Sequence, residues 1–276
     1  MKPKISALMS VYKNENPDFF AAAIDSILNQ TFLPDEIILV RDGIVSEQLQ
    51  GVIDFYLDKS SVQIKYIPLQ KNEGLGNALR IGVEAAKNEL IARMDTDDIS
   101  IQNRFELQIS AFEKNPKLDL VGGQVCEFEI DISSATGARK VPLKHQQIAK
   151  YLKRRNAFNH PTVMFKKSSV LKVGNYIDRH YVEDYDLWLR MLSAGCRFEN
   201  LPQTLVYMRV SADMYNRRGG VEYFESLKRL ENDKRIAKTV SPFRYVINVS
   251  VRFVQCVVLS NSLRRLVYQK VLRKRR

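Results

Sequence analysis

The densest chemistry in the sequence is Arg93-Met94-Asp95-Thr96-Asp97-Asp98, three carboxylates within four residues. Like charges this close repel and need a compensating partner. On an extended segment Asp95 and Asp97 point to one face, because side chains alternate with period two. Two carboxylates on one face suit a hard divalent cation that keeps substrate phosphates among its oxygen ligands. The plain alternative is a solvated acidic turn in which Asp98 or Ser100 caps the next helix. A second acidic group, Glu183-Asp184-Tyr185-Asp186, opens a segment holding Leu187, Leu189, Met191, Leu192 and the only tryptophan, Trp188. A helix dipole favours acids at its start by about 0.3–1 kcal/mol each. That accounts for one acid better than for three, and the other reading is a general base in a cleft.

Three further segments carry weaker chemistry. Asn72-Glu73-Gly74-Leu75-Gly76-Asn77-Ala78 contains GxG, but its next glycine is Gly82, out of place for a dinucleotide fingerprint, and it reads as a tight helix entry. His160 stands before Pro161 and an apolar run, a setting in which histidine is usually structural. Arg217 and Arg218 could clamp a diphosphate through charge-assisted hydrogen bonds, or form a solvated basic turn.

The elements that must position these groups alternate through the first hundred residues. Residues 5–12 read as a buried strand, and 36–40, 62–67 and 89–94 as three further strands. Between them 17–30, 46–58 and 73–87 read as helices, the first with Asn16 as N-cap and Pro17 in its first turn. Such alternation implies right-handed crossovers and a largely parallel sheet, with ligands at the carboxyl ends of its strands. Residues 10–12, 41–43 and 95–98 all fall at such ends. Beyond them, 101–114 reads as a helix and 118–129 as a strand with a bulge at Gly122-Gly123. Residues 131–142 read as loop, 144–155 as helix, 162–165 as strand, 182–194 as helix and 221–239 as a long charged helix.

Composition bounds the alternatives. The 276 residues are 45% apolar and 27% charged, ordinary globular values that exclude disordered and collagen-like chains. Three scattered cysteines argue against a disulfide scaffold or a Cys-rich zinc site and fit a reducing cytoplasm. No signal-peptide pattern and no transmembrane-length apolar run is expected. The net charge of +12 is concentrated at the end: residues 243–276 hold nine basic side chains and no acid. A stripe of Arg244, Asn248, Arg252 and Gln255 amid apolar residues suits an anionic membrane surface, or else a helix docked on the body. Nucleic acid is not an expected partner, since aromatics there are few and no nucleic-acid module is present.

Taken together, Ser10-Val11-Tyr12, Arg41-Asp42-Gly43, the Asn72-Glu73-Gly74 helix entry, Arg93 to Asp98 and Glu183-Asp184 resemble family 2 glycosyltransferases of the GT-A fold. The closer likeness is to bacterial exopolysaccharide, capsule and O-antigen enzymes, including the amylovoran-biosynthesis type, and it spans about residues 4–220. It implies an α/β fold with a mostly parallel central sheet. Residues 1–98 would form the nucleotide-sugar half, 99–220 the acceptor half, and 221–276 a basic amphipathic helical extension. It further implies inverting, metal-dependent transfer from a nucleotide sugar, UDP favoured, to a polyprenyl-diphosphate-linked acceptor. The enzyme would sit in the cytoplasm on the inner face of the plasma membrane.

By the same resemblance Ser10, Val11 and Tyr12 border the nucleoside, Asp42 bonds the uracil ring and Asp95 approaches the ribose. Asp97 would meet Mn²⁺ or Mg²⁺, and Asp184 would be the base, with Glu183 and His160 toward the acceptor. The sequence departs from the family at Lys13, at Arg41, at Leu79-Arg80, and at Val210-Ser211-Ala212-Asp213, which has no histidine. It has no QxxRW motif, which argues against a processive synthase. Rival expectations are a sugar nucleotidyltransferase, which would need a Gly-rich basic loop after the first strand, and a non-catalytic membrane-surface binding protein.

Overall fold

Residues 5–12 are apolar almost throughout, and in the computed structural model they form the central strand of a mixed sheet. The structure describes residues 3–135, 137–210, 219–260, 263 and 274–275. Strand β1 (Ile5–Tyr12), helix α1 (Pro17–Leu28), β2 (Glu36–Asp42), α2 (Glu47–Lys59), β3 (Ile64–Pro68), α3 (Leu75–Ala85) and β4 (Leu90–Met94) follow in order. β1 lies between β2 and β4, and β3 flanks β2, all parallel. The continuous apolar run of β2 fits burial on both faces. Ile37 and Leu39 pack toward α1 and α2, while Ile38 and Val40 pack toward α3. Asn16 caps α1 as the sequence indicates, accepting from the backbone N–H of Asp18 and Phe19.

The second half extends the sheet with β5 (Ile99–Ser100), α4 (Arg104–Lys114), β6 (Leu120–Phe128), β7 (Gly137–Arg139), α5 (His145–Leu152), β8 (Met164–Lys166), α6 (Lys167–Lys172), α7 (Glu183–Ser193) and β9 (Phe198–Arg209). β8 runs antiparallel between β4 and β6, and β9 pairs parallel with β6. The β6–β9 register shifts between Gly122 and Gln124, the irregularity the paired glycines suggest. One element departs from the sequence expectation: β7 lies within the stretch read as loop. Two more fall on segments to which the sequence assigns no element: α6 follows β8 directly, and β9 is the longest strand among the described residues although it contains Pro202. Proline interrupts a ladder unless the partner strand is irregular there; here the shift in β6 stands opposite residues 200–204. Helix α4 also begins later than expected, with Asn103 at its cap position rather than Asp98 or Ser100.

Two helices, α8 (Val221–Ile236) and α9 (Pro242–Phe253), pack on the α3 and α7 side of the sheet. Phe224, Leu227 and Leu230 join the core that holds Trp188, which also contacts the rings of Phe158 and Tyr176. The polar stripe read from the sequence is real but faces inward. Asn248 is buried and donates to Glu231 at 2.9 Å and to the Lys153 carbonyl at 3.2 Å, and Arg252 donates to the Arg154 carbonyl at 2.9 Å. Beneath it Glu231 and Lys234 form a buried ion pair at 2.8 Å, with Lys234 also donating to the Tyr185 hydroxyl at 2.7 Å. The apolar side of α9 faces out: Phe243 is 77% exposed, Val246 59% and Val258, just past the helix, 62%. Among the described residues no helix is long and apolar enough to cross a membrane. Cys126, Cys196 and Cys256 are all buried.

Candidate active site

The register places Tyr12 beside Asp42 and Met9 beside Met94, so the carboxyl ends of β1, β2 and β4 meet along one edge. Residues 10–12, 41–43 and 95–98 therefore converge. Thr96 links them, donating to the Ser10 carbonyl at 3.3 Å and to the Glu15 carboxylate. The Val11 side chain is in the core, so only its backbone is available at this edge.

Asp42 is buried and occupied by the helix entry. Its Oδ1 accepts from the backbone N–H of Glu73 at 2.6 Å, and its Oδ2 accepts from Gly74 at 3.0 Å and from the Asn72 amide at 2.9 Å. Burial raises its pKa and these two backbone bonds oppose the rise. A carboxylate offers about four acceptor positions, so one remains for another donor. The glycines here serve close approach. At Gly43 a Cβ would lie 2.7 Å from the Asn72 nitrogen, and at Gly76 it would lie 2.7 Å from the Ile177 carbonyl oxygen. Arg41, in place of an acid, donates to Gln50 at 2.9 Å and faces the Tyr66 ring.

Beneath the acidic loop lie two buried guanidiniums. Arg93 holds Asp95 in a two-pronged ion pair, and Arg104 donates to the Arg93 carbonyl at 2.7 Å and to Gln108 at 3.0 Å. Burial and the neighbouring Arg93 lower Arg104 to about 9. Asp98 turns inward, accepting the Arg209 backbone N–H at 2.8 Å, and its second oxygen has no hydrogen-bond partner. Arg209 also lies over the Phe19 ring, 3.7 Å from its centre. Asp97 is pushed up to about 7, by burial first and then by the Asp95 and Glu15 carboxylates.

This acid-rich, all-oxygen corner fits a divalent cation. A positive ion at Asp97 would relieve the repulsion that raises its pKa. Among the described residues no three His, Cys, Asp or Glu side chains form a closed metal site. A Mg²⁺-type ion is commonly held by one or two carboxylates and completed by substrate phosphates.

The second acidic group stands at the start of α7, and its three members separate. Asp186 is buried and accepts from Arg190 at 2.7 Å within the helix. Asp184 accepts from the Asn156 amide at 2.6 Å and from the Tyr185 backbone N–H at 2.6 Å. Burial raises its pKa, while those bonds and the charges of Arg139 and Arg93 pull it down. Glu183 is pushed up to about 7, by burial and then by Asp184. His160 bonds the Tyr176 hydroxyl at 3.0 Å and packs on Trp188, and burial together with Arg93 holds it neutral. The Tyr176 hydroxyl in turn feels Arg93, Asp184, Glu183 and Asp95. Arg93 lowers the pKa of Asp97 and Asp98 and also of Glu183 and Asp184, and the start of α7 adjoins the α3 entry, since a Cβ at Gly76 would lie 3.5 Å from the Glu183 Cβ. Arg217, Arg218 and residues 211–213 lie outside the described residues.

Against known families, the profile described as glycosyl transferase family 2 matches residues 6–173. The chain belongs to glycosyltransferase family 2. The enzyme is 39% identical over 273 residues to the Escherichia coli UDP-Gal:alpha-D-GlcNAc-diphosphoundecaprenol beta-1,3-galactosyltransferase, covering 99% of this chain and 98% of that one. It is 38% identical to the amylovoran biosynthesis glycosyltransferase AmsE of Erwinia amylovora, covering 90% of this chain and 91% of the relative. Its place among bacterial polysaccharide-biosynthesis glycosyltransferases sets aside the nucleotidyltransferase and scaffold readings. Two solved structures share the fold. S. aureus TarS 1-349 with UDP-GlcNAc has a TM-score of 0.62 at 15% identity, covering 95% of this chain and 69% of that one. The mannosyltransferase PcManGT from Pyrobaculum calidifontis, with GDP-Man and Mn2+, has a TM-score of 0.64 at 13% identity, covering 96% and 72%. The enzyme therefore has the GT-A fold.

Several residues of this site were not singled out in the sequence. Glu15 follows the β1 motif by only three positions, but its contact with Thr96 spans 81 residues. Asn156 is an isolated polar residue, and Arg104 reads as an ordinary surface position at a helix start. No local pattern marks any of them.

Proposed function

We propose that the enzyme transfers a sugar from a UDP-sugar to a polyprenyl-diphosphate-linked saccharide, inverting at the anomeric carbon. The observation that carries this reading is geometric: residues 10–12, 41–43 and 95–98 converge at the carboxyl ends of β1, β2 and β4, and the start of α7, which holds Asp184, adjoins the α3 entry that Asp42 binds. The E. coli relative, named for a UDP-Gal donor and a diphosphoundecaprenol acceptor over nearly its whole length, supports the substrate classes.

In this reading residues 1–98 form the donor half and 99–220 the acceptor half. Ser10, the Val11 backbone, Tyr12 and Asp42 border the nucleoside, and Asp95, fixed by Arg93, faces the ribose. Asp97 would hold Mn²⁺ or Mg²⁺, which when bound supplies positive charge for the departing nucleotide diphosphate. Asp184 takes the proton from the acceptor hydroxyl as that oxygen attacks the face opposite the leaving group. Asn156 and Arg139 favour the charged form of Asp184 and Asn156 orients it for that transfer, and Glu183 and the His160–Tyr176 pair bound the acceptor side. The outward apolar face of α9, with the basic residues of 243–276, supports a seat for the enzyme on the inner leaflet of the plasma membrane.

The test is direct. UDP with Mn²⁺ should raise the melting temperature, since a ligand that binds only the folded state stabilises it. Galactose should pass from UDP-galactose to a GlcNAc-diphospho-lipid acceptor. An unmoved melting temperature, together with no transfer from any UDP-sugar, would refute the reading.

A further inference from the structure

Between the candidate base and the outward face of α9 runs a strongly basic segment. Lys150, Lys153, Arg154 and Arg155 fall within six residues, and Asn156 next to them bonds Asp184 at 2.6 Å. Lys153 and Arg154 are exposed, and Arg155 is half-buried against the Tyr151 ring. α9 grips this segment by its main chain alone, through Asn248 to the Lys153 carbonyl and Arg252 to the Arg154 carbonyl. The basic side chains are therefore not used to hold the helix. Among the described residues no carboxylate pairs with Lys153, Arg154, Arg155 or Arg252.

The main chain ties this cluster to the site, since Asn156, directly after Arg155, bonds Asp184 at 2.6 Å. On one side of the cluster is the carboxylate that would receive the acceptor's proton. On the other is the unpartnered apolar side of α9, led by Phe243, Val246 and Val254. A ligand that suits all three zones in this order has a sugar hydroxyl, then a multiply charged anion, then a hydrocarbon chain. Guanidinium groups match phosphate oxygens in a two-pronged geometry that an exposed carboxylate-free cluster leaves open.

We propose that Lys153, Arg154, Arg155 and Arg252 form the subsite for the diphosphate of the lipid-linked acceptor, whose polyprenyl chain passes onto the outward face of α9. The proposal rests on the acceptor class assigned above and adds where its charged group is held. It also explains why a helix would direct its polar stripe at the body. Asn248 and Arg252 set the basic segment between Asp184 and the membrane, so a diphosphate at that depth presents its first sugar to the base.

The test uses the full chain and the triple variant Lys153→Ser, Arg154→Ser, Arg155→Ser. Because the hydrogen bonds from α9 to this segment go to its carbonyls, the substitutions leave those bonds in place. Binding is measured to phosphatidylcholine vesicles carrying farnesyl diphosphate, and to vesicles given equal charge with phosphatidylglycerol. UDP binding with Mn²⁺ is measured on the same samples. We expect the triple variant to lose about tenfold or more in farnesyl-diphosphate binding, the effect of removing charged hydrogen bonds, while its UDP affinity is kept. Equal binding by variant and wild type would overturn the subsite. So would wild-type binding that follows vesicle charge alone, because the cluster would then answer only to the membrane surface. Loss of UDP binding in the wild type itself would instead sink the glycosyl-transfer reading on which the subsite depends.

Discussion

The two acidic groups both feel the charge of Arg93, yet their surroundings are opposite in kind. At Asp97 burial is reinforced by two like charges, Asp95 and Glu15, and opposed by Arg93. At Asp184 burial is opposed by an amide donor, a backbone donor and two arginines. The first group concentrates negative charge. The second has donors matched to a single carboxylate. The difference lies in the groups packed behind the carboxylates rather than in the carboxylates themselves, and it is what the two proposed roles require.

That contrast can be broken at three points. Asp184→Asn removes the proton acceptor and keeps the shape and the Asn156 contact. Transfer should fall by about 10²–10⁴-fold, with UDP affinity kept; near-normal turnover would remove Asp184 from the base role. Asp97→Ala should next abolish the gain in UDP affinity on adding Mn²⁺, on the order of a hundredfold if the ion contributes several kcal/mol. Titration calorimetry with and without the metal reads it, and an undiminished response to Mn²⁺ would place the ion elsewhere. The mildest change is Asn156→Ala. It removes the bond that most favours the charged form of Asp184, so the carboxyl's pKa rises further. The acid limb of kcat/KM should then move to higher pH, with a fall at neutral pH of about tenfold or less. An unshifted limb would mean that Asn156 does not set the base.

Much of this was legible in the chain, and unevenly so. The donor half follows from local signals, because each of its strands is a short apolar run bounded by a turn and each helix has a cap or a stripe. The Asn16 cap and the convergence of 10–12, 41–43 and 95–98 both follow from such patterns. The acceptor half depends on pairing across long separations. β9 was not legible because Pro202 argues against a strand, and only the shifted register of β6 accommodates it. Asp98 reads as a cap from its position before α4, but its partner is the end of β9, 111 residues away. The stripe on α9 was visible, though not its direction, since amphipathic spacing says which residues share a face and not which face is turned to the body. Here buried Glu231 decides the matter by supplying an acceptor for Asn248.

The burial of all three cysteines has a practical consequence, because they lie in different parts of the molecule. Cys126 is in the sheet strand β6, Cys196 follows α7, and Cys256 lies just past α9 at the margin of the helical appendage. A maleimide reagent should find little to react with in the intact protein. The order in which the thiols become reactive as conditions loosen the structure would then report, section by section, which part opens before the rest.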